Sequence, residues 1–285
     1  VWADNGEEAT SEVAWFETAK KDELWQAKWI TPDLDKNVHP ELCKKFTIPT
    51  KSITSARAYV CGLGFYEMNI NGKKCGDEYL TPNFNAYNKW LQYQTYDITD
   101  IVEKEENSIV ITLGNGLYKG RFGFDSEENI YGDTFALLCE VVITFEDGTT
   151  AVIGSDETWF AKKSKILSSN IYDGEVYDAS FDNNAIYKTK EIELGYDRLE
   201  ARKSLPVVIK ERIQPIEIIQ TPLGETVLDM GQNMVGWVTF RTDAPKGTKI
   251  RLQYGELLQE GNFYRDNLRT AKAEFTYISD GTEAV

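Results

Sequence analysis

Residues 168–179 read SSNIYDGEVYDA and place Asp173, Glu175 and Asp178 close together, beside Tyr172 and Tyr177. On a β-strand, residues two apart share a face, so the α-carbons of Asp173 and Glu175 would stand about 6.5 Å apart. Sugar-cleaving enzymes hold their acid pair at carboxyl separations of roughly 5 to 9.5 Å. The spacing therefore suits general acid and base work. Gly174, set between the two acids, suits a bend or bulge instead. Carboxylates near strand ends also accept hydrogen bonds from loop amides or pair with arginine. Three roles stay open for these acids: catalysis, structural anchoring, or contact with calcium or a sugar.

Two polar loops offer a second chemistry. TPNFNAYNKW carries Asn83, Asn85, Tyr87 and Asn88, and LGNGLYKGRFGF carries Asn115, Tyr118 and Arg121. Amide side chains and loop carbonyls suit sugar hydroxyls or calcium, which takes 6 to 8 oxygen ligands. Aromatic rings stack on sugar faces while a hydroxyl keeps a polar partner. The same residues also serve turn geometry and core filling. GNGLYKG lacks both G-x-G-x-x-G and the Walker pattern, and no helix is expected after it, which argues against a nucleotide role. In LDMGQNMVGW, Gly231 and Gly236 flank a bend. Met234 and Trp237 read as core there, Gln232 and Asn233 as groups that satisfy buried backbone near a domain junction, and Asp229 and Trp237 also as interdomain or structural residues. YGELLQEGNFYRDNLRTAKAEFTY gathers Glu256, Arg265, Asp266, Asn267 and Arg269, a pattern of a solvated face or an interdomain ion-pair set.

Other site types have little material. His39 is the single histidine, so a Ser-His-Asp triad would have to use it. Cys43, Cys61, Cys75 and Cys139 are scattered, with no C-x-x-C pair. A Cys/His zinc site is not expected, and the thiols read as small buried hydrophobes in a reducing, cytoplasm-like compartment.

The elements that must hold these residues read as strands. Asn71-Gly72 marks a type I′ hairpin turn and Asp147-Gly148 a second hairpin. LQYQTYDIT alternates, ENSIVITLGNG reads as a short buried strand, and TKIRLQYGEL as another after the turn at 245–247. Long amphipathic helices are missing from the pattern. The expected class is all-β: two β-sandwich, jelly-roll-like domains. We expect residues 1–20 to be the tail of a preceding domain, 21–206 a large sandwich ending near the linker EARKSLPVV, and 207–285 a second, smaller and incomplete one.

The chain has 285 residues, 27% of them charged, and a net charge of −15. That balance disfavours nucleic acid and anionic membranes as partners and is compatible with neutral sugars. No apolar run approaches the roughly 20 residues of a membrane span. The first residues show no signal-peptide pattern, and the chain reads as a fragment.

Taken in order, the motifs resemble the N-terminal non-catalytic region of bacterial α-L-rhamnosidases of glycoside hydrolase family 78. WQAKWI at 25–30 is similar to the family's opening motif. NINGKKCGDEYLTPNFNAYNKWLQYQTYDIT, LGNGLYKGRFGF, ILSSNIYDGEVYDA, LDMGQNMVGWV and YGELLQEGNFYRDNLRTAKAEFTY follow in the family's order. The resemblance implies a rhamnosidase N-terminal jelly-roll-like domain, then a second β-sandwich. VAWFET would be the last strand of a preceding fibronectin-type sandwich. The catalytic acids would lie beyond residue 285, in an (α/α)₆ barrel that inverts terminal α-L-rhamnose linkages. On this reading the fragment has no catalytic residue and needs no cofactor, with calcium possible. Its partners would be its own missing catalytic domain and a rhamnose-containing glycan. Departures from the family pattern are Pro82-Asn83-Phe84 for Pro-Gly-Trp, Gly116-Leu117-Tyr118 for Gly-Trp-Tyr, and Asp178-Ala179-Ser180 for Asp-Ala-Arg. The alternative reading is a calcium-assisted, rhamnose-type lectin module.

Overall fold

A computed structural model describes residues 2–14, 16–20, 24–123 and 126–284. Trp15 of VAWFET, Phe124 of LGNGLYKGRFGF and the domain start at residue 21 lie outside the described residues.

The local turn chemistry acts as the sequence predicts. Asn71 and Gly72 take φ of 51° and 75°, the two positive values a type I′ turn requires. They join Phe65–Ile70 to Lys73–Lys74 in an antiparallel hairpin. At the second hairpin Gly148 has φ of 78°, and Asp147 Oδ1 accepts the Thr149 amide at 3.0 Å. Its strands, Ala136–Phe145 and Thr150–Gly154, pair from Thr144↔Thr150 onward. The loop GNGLYKG departs from expectation: one turn of α-helix, Gly116–Lys119, follows the strand Glu106–Gly114. A single turn is long enough to reverse the chain, and too short to give a hydropathy signal.

The described residues form one twelve-stranded sheet that wraps into two layers. One layer centres on Ile53–Leu63, flanked by Leu91–Asp97 and Ala136–Phe145. The other centres on Glu106–Gly114, flanked by Pro40–Thr47 and Phe65–Ile70. Strand Ile30–Pro32 links them, pairing with Ala136–Phe145 on one side and Tyr187–Glu191 on the other. Period-two alternation explains how the layers are held. Ala56, Ala58 and Val60 face inward against Ile109, Ile111, Leu113, Met68 and Ile70 in the main core. Cys61 and Leu63 face outward into a second cluster with Trp29, Tyr87, Leu91, Tyr93 and Leu138. The C-terminal end of strand Ile53–Leu63, residues 60–63, is therefore buried on both sides.

The described residues between 2 and 20 form no strand of either layer. Among them Trp2 and Glu8 make an isolated bridge around a turn, and no described residue of the stretch expected to be a preceding sandwich's last strand joins a ladder. Its end is fixed by a buried ion pair: Lys20 Nζ lies 2.7 Å from Glu140 Oε1, with the two side chains 4% and 1% exposed. The other Glu140 oxygen accepts the Ala27 amide at 2.9 Å.

The second β unit is built differently. Its four-stranded sheet runs Ile166–Asn170, Gly174–Asp178, Glu274–Ile278, Lys249–Gln253. Two of those strands therefore come from the first unit's stretch of sequence. Gly174–Asp178 pairs in parallel with Glu274–Ile278, from Gly174↔Glu274 to Asp178↔Ile278. Two small hairpins complete the unit, Glu217–Gln220 with Thr226–Asp229 and Leu257–Gln259 with Asn262–Tyr264. Ile216, Ile218, Leu223, Leu228, Val235 and Trp237 face solvent.

Candidate functional site

The acids of SSNIYDGEVYDA do not form a pair. Gly174 has φ of 94°, which breaks the strand alternation between Asp173 and Glu175 and sends their side chains to different neighbours. The position must be glycine. A Cβ there would lie 1.8 Å from the Glu274 carbonyl oxygen, on the strand alongside.

Asp173 meets Arg121. The guanidinium donates from Nη2 to Asp173 Oδ1 at 2.8 Å and from Nε to Oδ2 at 3.4 Å. It also donates from Nη1 to Ser126 Oγ at 2.9 Å and to Thr270 Oγ1 at 3.1 Å. From Nη2 it reaches the Thr270 carbonyl at 2.9 Å, and its plane lies over the Tyr172 ring. One fork thus joins the loop after the helical turn, the bend before Gly174 and the second unit. The fixed fork of arginine suits this task and the ammonium of lysine does not. Arg121, expected as a sugar or calcium contact, has its donors turned into this clasp. Asn115 is turned the same way, donating from Nδ2 to the Ser169 carbonyl at 3.0 Å.

Glu175 sits further along the strand, between Ser169 on one side and Phe275 on the other. Burial pushes its pKa up to about 7, and the charge of Glu67 pushes in the same direction. Asp178 closes a local turn, accepting from the Ser180 amide at 2.9 Å and hydroxyl at 2.7 Å. Tyr177 stacks on Tyr277 across the parallel pair, with rings 6° from coplanar and centroids 6.1 Å apart. A cavity of about 250 Å³ opens beside this joint, lined by His39, Asn115, Ser169, Asn170, Asp173 and Lys272 among others. His39 is buried, and desolvation pulls its pKa down to about 4, so it is neutral at pH 7.

The loop 81–90 does not present its polar groups outward as a set. Asn85 is fully buried and accepts from Gln92 Nε2 at 3.1 Å. Gln92 Oε1 in turn accepts the Lys203 amide at 2.8 Å, which ties the loop to the linker. Tyr87 is buried against Tyr118 and Tyr131, with ring centroids 5.1 and 5.2 Å away, and burial raises its pKa. Asn83, at φ of 65°, is half-buried, and Asn88 is exposed. Asn83 Nδ2, Asn85 Nδ2 and the Tyr87 hydroxyl are buried without a hydrogen-bond partner. Sequence spacing groups Asn85 and Tyr87 with loop-tip contacts; the fold instead closes the loop over them. Among the described residues, no three His, Cys, Asp or Glu side chains group closely enough to hold a metal ion.

The junction stretch overturns its reading more completely. Residues 231–239 are exposed, Trp237 at 49%, and they form no strand. Met234 and Trp237 are not core, and Gln232 and Asn233 satisfy no buried backbone. An apolar side chain is buried only if a second layer faces it, and the described residues place none there. Trp237 touches one ring, Tyr79, at 4.6 Å. Asp229 makes a local bond, accepting the Gly231 amide at 2.7 Å. In the charge cluster, Arg265 donates to the carbonyls of Tyr254 and Ala273, and Asn267 to Glu256. Sequence reading missed Thr270, Ser126 and Glu67. Thr270 lies 149 positions from Arg121, and no local pattern signals a contact at that separation.

Comparison with known proteins places this geometry. Residues 51–211 match the alpha-L-rhamnosidase N-terminal domain, and residues 219–285 the bacterial alpha-L-rhamnosidase concanavalin-like domain. An alpha-L-rhamnosidase of Streptomyces avermitilis is 34% identical over 253 residues, covering 85% of this chain and 24% of its own length. The crystal structure of the native α-L-rhamnosidase from Aspergillus terreus superposes with a TM-score of 0.86 at 34% identity, covering 91% of this chain and 32% of that one. The Streptomyces avermitilis enzyme crystallised with L-rhamnose gives 0.80 at 33% identity, covering 87% and 25%. The chain thus spans about a quarter to a third of the relatives it matches.

Proposed function

Because this chain belongs to the α-L-rhamnosidase family, as an N-terminal part of it, we propose that it is the non-catalytic β region of an enzyme that removes terminal α-L-rhamnose. In this reading the reaction takes place in an (α/α)₆ barrel outside these residues. There a general acid protonates the leaving oxygen and a base activates water on the opposite face of the sugar, with inversion. The β region serves as a rigid support for that barrel and shapes the approach to it.

The observation that carries this reading is the fate of the acids. Asp173 is held by Arg121 and Asp178 by Ser180, and Glu175 stands apart from both on the strand between the units. No pair of them faces a common space. The open apolar face supports the same reading, since a face of this extent on a soluble protein marks a surface that another body covers. We take that body to be the catalytic barrel.

Incubation of the purified chain with an aryl α-L-rhamnoside tests the first part. The expected result is no turnover above buffer. Turnover that disappears in Glu175→Gln would overturn it. Ile218→Asp and Trp237→Asp test the second part. Ile218→Asp is expected to shift the stability of this chain by less than about 0.5 kcal/mol, as surface changes do, and Trp237→Asp by about 0.5–1.5 kcal/mol through its lost Tyr79 contact, yet both to lower the Tm of the full-length enzyme further. Equal small effects in both would remove the proposed packing.

A further inference from the structure

Strand Gly174–Asp178 is the place where the two β units share backbone. It pairs antiparallel with Ile166–Asn170 of the first unit's chain and parallel with Glu274–Ile278 of the second. Next to it, Arg121 holds Asp173 and Thr270 together. The joint is therefore one sheet and one clasp. Within it, Glu175 is the odd group. Among the described residues its carboxyl has no hydrogen-bond or ion-pair partner.

The groups around it are identified strand by strand. Phe65–Ile70 contributes Glu67, an exposed carboxylate. Ile166–Asn170 opposes it with Ser169, and Glu274–Ile278 with Phe275, neither of which carries charge. On its own strand the charge of Glu175 acts on Tyr177. Arg121 is committed to Asp173, and Lys272 and the neutral His39 line the cavity beside the joint. Glu67 thus adds a charge of its own sign. A half-buried carboxylate without a partner favours its neutral form.

We propose that Glu175 is a pH-sensitive latch between the two β units: protonated, it lets the shared strand hold them together, and ionised, it loosens that joint. The inference stands apart from the rhamnosidase reading, because it uses only the joint's own geometry. The sign follows from the raised pKa, about 7 in the closed joint against the ordinary value of 4.5. Below about 4.5 the carboxyl is protonated in open and closed states alike, and nothing is gained or lost. Closure weakens as pH rises from there to about 7 and changes no further above it. Between pH 6 and 8.5 the closed-to-open ratio is expected to fall on the order of tenfold.

Amide hydrogen exchange of peptides spanning 174–178 and 274–278, corrected for intrinsic rate, reads this ratio directly. In the wild-type chain, protection should fall about tenfold between pH 6 and 8.5. In Glu175→Gln it should stay flat, and in Glu67→Gln the fall should shift to lower pH. The same pH dependence in wild type and Glu175→Gln would overturn the proposal. Carbon NMR titration of the Glu175 carboxyl in the wild-type chain gives a second test that needs no variant. A midpoint in the ordinary glutamate range would overturn the proposal as well.

Discussion

Arg121→Ala is expected to destabilise this chain by about 3 kcal/mol. The side chain is 12% exposed and its partner Asp173 28%, so the pair is screened only in part. A hydrogen bond to a charged group contributes about 1.5–3 kcal/mol and a neutral one about 0.5–1.5. The exposure of Asp173 puts the ion pair at the lower end, about 1.5 kcal/mol. The bonds to Ser126 and to Thr270 add a similar amount together. Urea denaturation followed by tryptophan fluorescence measures the loss. With a slope of about 3 kcal/mol/M, the midpoint should drop by about 1 M. A double-mutant cycle with Asp173→Ala isolates the pair, with an expected coupling of about 1.5 kcal/mol. Arg121→Lys should recover less than half of the loss, because an ammonium cannot span Asp173, Ser126 and Thr270 together. If unfolding shows two transitions, the loss belongs to the one that releases the second unit. A cost under about 0.5 kcal/mol, or a coupling near zero, would refute the clasp as the element that joins the units.

Other substitutions test neighbouring parts of the argument. Glu140→Gln removes the carboxylate 2.7 Å from the buried Lys20 ammonium and should cost at most about 3–5 kcal/mol in the same denaturation assay, whereas Lys20→Met combined with Glu140→Gln should recover much of it. Gly174→Ala brings a Cβ onto the Glu274 carbonyl and should cost more than about 2 kcal/mol, while Gly224→Ala, with a similar φ and open space around it, should cost about 1 kcal/mol. Titration calorimetry with L-rhamnose, with and without calcium, should show no heat that depends on Asn85 or Tyr87, since both are buried. A binding signal lost in Tyr87→Phe would refute that conclusion.

What the sequence made legible was local. Asn71-Gly72 and Asp147-Gly148 announce their hairpins because turn backbone needs positive φ at named positions, and asparagine and glycine supply it cheaply. LQYQTYDIT and ENSIVITLGNG were readable as strands too, and they form Leu91–Asp97 and Glu106–Gly114. The joint was not. Gly174–Asp178 finds its parallel partner about a hundred positions away, and Arg121 finds Thr270 further still. Spacing within a motif suggested that Asp173 and Glu175 share a face, and a single positive φ at Gly174 removed that. Met234 and Trp237 mislead in another way. Hydropathy reports that a side chain gains from burial and is silent on what would cover it. Asn85 and Tyr87 show the converse, since an Asn-rich loop reads the same whether it waits for a ligand or folds inward.

The shared strand also sets where this protein can be cut. A scissor placed in the stretch 212–218 separates the two matched regions in sequence, yet strands Ile166–Asn170 and Gly174–Asp178 stay behind with the first piece. The excised second piece would keep Lys249–Gln253 and Glu274–Ile278 as a bare two-stranded ribbon, with one flank of Glu274–Ile278 unpaired and prone to self-association. The first piece would carry an orphan hairpin. Recombination in that stretch therefore yields two damaged halves, and the units are expected to pass between genes as a single cassette.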